Sequence, residues 1–303
     1  MTPDSFNEHY PLADAVDHEI LMHRDAHFGG LFSIMLQYYR DEGKGVQPDF
    51  TIKRIERLAL LEDQLKENLA ALFLTSQEAQ RVADAREAYE NLRAIYAVKN
   101  PKNIQPKLIA DLILTEDEEG EEEVRAIAAE KDKIVPALIQ LLGNEQYHDP
   151  LFPGYGMAPI LIVKCLGAIG DKKAIISLFE ALGKDDFFTD EQILKALKLI
   201  GDPAKAFLLR VLAGRPLNED NERAAIALVA FKDDVEVAST CFELLKQPDI
   251  QKDICLSTYC ALACSGLQDT SQREAYRAMA DSLGKSSLKE DMKSIIREWN
   301  TNS

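Results

Sequence analysis

Four of the five histidines of this chain lie in its first 27 residues: His9, His18, His23 and His27, with His148 far downstream. His23 and His27 are four residues apart in "HEILMHRDAHFGG", the spacing at which two imidazoles on one helix can chelate a single metal ion. Pro11 suits the first turn of a helix that would end at Gly29-Gly30. At about 100° per residue, taking Leu12 as zero, His23 falls near 20°, Val16 near 40°, His27 near 60° and Ile20 near 80°. Glu19 falls near 340° and His18 on the opposite side. Glu19, His23 and His27 are therefore candidate metal ligands on one stripe, although Glu19 and His27 are about 12 Å apart along the axis and cannot readily share one ion. Further ligands would have to come from another helix, and the chain has no H-E-x-x-H pattern. The alternatives are a semi-buried polar cluster, in which glutamate and histidine satisfy each other, and a pH-sensitive contact.

Other chemistry-bearing segments are less directed. "EDEEGEEE" (116–123) is dense in carboxylates but lacks the ligand order of a calcium loop, so it reads as a solvated loop feeding a helix N-terminus. The stretch "GNEQYHDPLFPGYGMAP" (143–159) is rich in proline, glycine and aromatics. Its Tyr147, Phe152 and Tyr155 are candidates for partner binding, or else they fold back to seal a junction. Cys165, Cys241, Cys255, Cys260 and Cys264 lie in apolar helical patterns without a CxxC, as expected of buried thiols in a reducing compartment. There is no nucleophile elbow, phosphate loop or dinucleotide glycine pattern, and no catalytic residue is assigned.

The positioning elements are helices. Apolar residues recur with a helical period almost throughout, without sustained strand alternation. "TIKRIERLALLEDQLKENLAALFL" reads as one long helix, and Thr75 with Glu78 forms a capping box for the next, which ends at Asn100-Pro101. From about residue 106 the helices shorten and pair. Leu166, Ile169, Gly170 and Asp171 match Leu197, Ile200, Gly201 and Asp202, each 31 residues on, and Leu228 and Asp233 continue the series. A more distant copy includes Leu262, and Ala137-Leu138-Ile139 matches Ser177-Leu178-Phe179. Gly170 and Gly201 are expected to close one helix in the left-handed conformation, with Asp171 and Asp202 capping the next. A single pair cannot cover its own apolar face, so neighbouring pairs must stack.

These units, "LGAIGDKKAIISLFEALG" and "LKLIGDPAKAFLLRVLAG", resemble HEAT repeats, in particular the short HEAT-like units of phycobilin lyases. "FPGYGMAPI" and "NEDNERAAIALVAF" also look like bacterial HEAT-repeat proteins. The resemblance covers roughly residues 105 to 283. It implies an all-α, right-handed α-solenoid of helix pairs (104–303, with an insertion at 144–158 and C-terminal capping helices) and a helical N-terminal cap region (1–103).

The expected function is a non-enzymatic scaffold that binds a protein through a concave or edge surface. The alternative is an enzyme or a small-ligand or metal carrier, bilin-lyase-like or with a pocket at the N-terminal helix. A net charge of −16 argues against nucleic acid and anionic membranes and favours a partner with a basic surface. No 18-residue apolar run and no basic, apolar leader is present, so the expectation is a cytoplasmic protein without a membrane span. No cofactor is expected.

Overall fold

The computed structural model describes residues 14–98, 102–117, 119–184 and 187–301, apart from the side chain of Phe187. His9 and Pro11 lie outside the described residues. Among the described residues there are 18 α-helices and no strand. The chain divides into two compact units, one holding the residues up to Ile127 together with Asn144–Leu161, the other Ala128–Gly143 and Ile162 onward.

The first unit begins with α1 (Ala15–His27), α2 (Phe32–Arg40), α3 (Ile52–Leu65), α4 (Leu69–Phe73) and α5 (Ser76–Ala97). It continues with α6 (Gln105–Leu114) and α7 (Glu121–Ala128). Asp14 caps α1 by accepting from the Asp17 amide. The turn after α1 carries positive φ at both Gly29 and Gly30. The α5 capping box is present in full, with Thr75 and Glu78 each bonding the other's amide.

The long helix expected over 51–74 is broken. Lys66 takes a left-handed conformation, φ 57°, and Asn68 starts α4 by accepting from the amides of Ala70 and Ala71. The physical reason is Arg24. Its guanidinium is fully buried and bonds Glu62 of α3 at 2.5 Å; the break lets the Asn68 side chain reach it at 3.0 Å and the Leu69 amide donate to the same Glu62 carboxylate, with Phe32 beneath the charge. Around α1 the core comprises Ile20, Leu21, Phe28, Phe32, Met35, Tyr39, Phe50, Ile55, Leu58 and Leu69. On its other flank α1 packs along α5.

The insertion is held within this unit. A 3-10 turn at Glu145–His148 leads into Leu151 and Phe152, both buried against Met22, Val82 and Ala85. Arg81 of α5 pairs with Asp149 at 2.9 Å.

The second unit contains α8 (Val135–Leu142), most of α9 (Ala158–Ile169), α10 (Ile175–Ala181), α11 (Phe187–Ile200) and α12 (Asp202–Leu212). It ends with α13 (Glu219–Leu228), α14 (Val235–Leu245), α15 (Pro248–Lys252), α16 (Ile254–Leu262), α17 (Thr270–Ser282) and α18 (Ser287–Thr301). Several adjacent helices pack, among them α10 on α11, α11 on α12, α12 on α13 and α17 on α18, and so do elements of the same rank: α13 on α16 and α16 on α18, α8 on α10, α12 on α14 and α14 on α17. Leu166, Leu197 and Leu228, the matched positions of the first helices, are all fully buried.

The caps differ between copies. Gly170 and Gly201 have φ of 69° and 78°, and Asp171 accepts from the Lys173 amide at 2.8 Å. Asp202, expected to cap, is instead the first residue of α12, and in the next copy Asp234 rather than Asp233 does the capping. Pro203 lets α12 start at once, where the preceding copy spends Lys172–Ala174 on a 3-10 turn. The buried face of the second helix therefore falls on Ala174, Leu178 and Leu182 in one copy and on Ala204, Leu208 and Leu212 in the next. That spacing is one residue shorter than in the first helices.

Candidate functional site

The histidines of α1 meet aromatic side chains from the segment before α3, from α5 and from the insertion, all within the first unit. The His23 and His27 rings lie 5.1 Å apart, tilted by 41°. His23 is 4% exposed, with the Phe50 ring centre 5.0 Å from its own and the two planes nearly perpendicular. His27 is flanked by Tyr89 of α5 at 5.4 Å and by Tyr155 of the insertion at 4.9 Å. The Tyr89 hydroxyl is 2.8 Å from His27 Nδ1. His27 Nε2 is buried without a hydrogen-bond partner among the described residues, and the Pro150 backbone is close enough to the ring to favour its protonated form.

Tyr155 is placed by unusual backbone. Gly154, Tyr155 and Gly156 have φ of 90°, 55° and 76° in succession, a conformation cheap for glycine and costly for tyrosine. The ring rests on Gly45, where a Cβ would stand 2.2 Å from Tyr155 Cγ. Its hydroxyl interacts with those of Tyr38 and Tyr89. Tyr38 donates to the Lys44 carbonyl at 2.6 Å, and its hydroxyl is 3.3 Å from Glu116 Oε2.

Burial sets the protonation of the whole group. Loss of solvation pushes His23 down to about 3, reinforced by His27, and pushes His27 down to about 4, against the opposing pull of the Pro150 carbonyl and Asp149. Burial also raises Tyr38, Tyr89 and Tyr155, so the phenols stay protonated. The cluster consists of neutral imidazoles and neutral phenols. Such a set can donate and accept hydrogen bonds and can ligate a metal, but it offers no activated nucleophile.

No protein-family model and no curated protein matches this chain.

Of the residues singled out on the helical stripe, His23 and His27 come together and Glu19 does not join them. Glu19 is 42% exposed and lies 3.7 Å from Arg81, whose permanent charge is a better partner than a neutral imidazole. His18 leaves the cluster as its angle requires and pairs with Glu78 at 2.9 Å. Among the described residues no three His, Cys, Asp or Glu side chains are grouped to hold a metal. In the insertion, Phe152 is buried, while Tyr147 and Tyr155 are half-buried.

The partners Tyr38, Tyr89 and Asp149 were not read from the sequence. They come from three segments far apart in the chain, and no local pattern links them.

Proposed function

We propose that the chain is a non-enzymatic HEAT-like scaffold, its helix pairs forming a solenoid that takes a protein partner with a basic surface. The observation that carries this reading is the packing of the second unit, where helices of the same rank stack on one another from copy to copy. Stacking of this kind extends a surface rather than enclosing a pocket, and extended surfaces of repeat proteins bind macromolecules. The acidic composition supports a basic partner by complementarity. Exposed apolar residues on the second helices, Ile176 (56% exposed) on α10 and Val235 (42%) on α14, supply contact points. In the insertion, the burial of Phe152 and the lodging of Tyr155 support a sealing role.

The test is affinity purification of the intact chain with mass spectrometry, followed by binding measurements on the purified partner. Ile176→Lys and Val235→Lys are expected to weaken binding about 10-fold or more, since a cation buried against a basic partner is repelled and left unpaired at a cost above about 1 kcal/mol, whereas Ile34→Lys in the first unit leaves it unchanged. Affinity should also fall with added salt. A partner that is indifferent to both substitutions and to salt overturns the reading.

A further inference from the structure

We propose that His23 and His27 form a two-imidazole chelate for a borderline divalent transition ion such as zinc, nickel or copper, with the Pro150 carbonyl and water completing the coordination. The carrying observation is distance. A nitrogen-to-metal bond of about 2.0–2.1 Å puts each ring centre about 3.2 Å from the ion, so two imidazoles at a tetrahedral angle have centres about 5 Å apart. The rings stand 5.1 Å apart in the structure.

The second observation is the unsatisfied nitrogen. Nε2 of His27 is buried without a hydrogen-bond partner among the described residues, while the Tyr89 hydroxyl engages Nδ1. That is the arrangement by which an outer hydrogen bond orients a ligating histidine and leaves its other nitrogen for the metal. His23 is enclosed by rings, His27 on one side and Phe50 on the other, so the chelate would be shielded from bulk water. Both imidazoles are held neutral by burial, and ligation at neutral pH displaces no proton from them.

Charged groups nearby do not block the site. Arg81 is occupied by Asp149 at 2.9 Å, with Glu19 on its other side, and Asp149 supplies negative potential to both histidines. With no third protein side chain in the set, the site would bind less tightly than a four-ligand structural centre. An exchangeable ion is the expected occupant.

The experiment uses the full chain without an affinity tag, stripped with chelator, then titrated with Zn2+ by calorimetry and with Co2+ by visible absorption. One ion per chain is expected. His23→Gln and His27→Gln should each weaken binding at least about 10-fold, and Tyr89→Phe about 10-fold through loss of orientation. His18→Gln, on the other side of α1, should leave it unchanged. Absence of saturable one-to-one binding, or equal affinity in the His23 and His27 variants, overturns the proposal. If circular dichroism shows that a variant has not folded, the imidazole resonances of the unaltered chain decide. Paramagnetic shifts from Co2+ at His23 and His27 support the chelate, and shifts confined to other histidines overturn it.

Discussion

Arg24 shows what one residue imposes on its surroundings. A fully buried guanidinium is costly unless its charge and donors are met, and here Asp25, Glu62, Asn68 and the Phe32 ring meet them. The sequence "HRDAH" carries no sign of this, because two of the partners lie about forty residues away on the far side of α2. Arg24→Met keeps much of the volume but leaves Glu62 facing a buried apolar group. The expected loss is about 3–5 kcal/mol of unfolding free energy, read as a lower urea midpoint at unchanged slope. Glu62→Gln, which keeps an acceptor for the guanidinium, should cost less. The contrast with Glu19 is instructive, since angular position placed it with the histidines but a cation on another helix took it.

At the scale of elements, the repeat is legible wherever a local signal fixes a boundary. Gly170 and Gly201 end helices as their positive φ requires, and Thr75 with Glu78 begins one. Boundaries fail where a distant contact decides, as at Lys66, or where proline removes a turn, as at Pro203. Asn221 is a further case: its Nδ2 donates to the carbonyls of Val211, Leu212 and Gly214, closing the end of α12, while its Oδ1 accepts from the Asn218 amide. It is 2% exposed. Asn221→Leu removes the side-chain donor from the carbonyls of Leu212 and Gly214 at the end of α12, while Val211 keeps the Gly214 amide, and a destabilisation of about 2 kcal/mol is expected in chemical denaturation. Asn218→Ala, which removes a cap that remains partly solvated, should cost about half as much.

For the whole molecule, the buried histidines couple stability to pH. In the unfolded chain their pKa is near 6.5, and in the folded chain it is about 3 for His23 and about 4 for His27. Between those values the unfolded state binds more protons, so stability falls as pH drops below about 6.5 and continues to fall to about 4 and 3. The loss is on the order of 5 kcal/mol for His23 and about 3 kcal/mol for His27 across their ranges, measurable as the pH dependence of the urea midpoint. The double variant His23→Gln, His27→Gln should flatten that slope. The sequence by itself determined that the chain is all-helical, that its later helices come in related pairs, and where several of them start and stop. Those features follow from periodicity, glycine conformation and capping, which act over a few residues. Only the tertiary structure decided that Arg24 breaks a helix, that Glu19 leaves the histidines for Arg81, and that Tyr89 and Tyr155 surround His27. Those outcomes depend on which charges and rings compete for the same space, and the competitors come from α2, α3, α5 and the insertion.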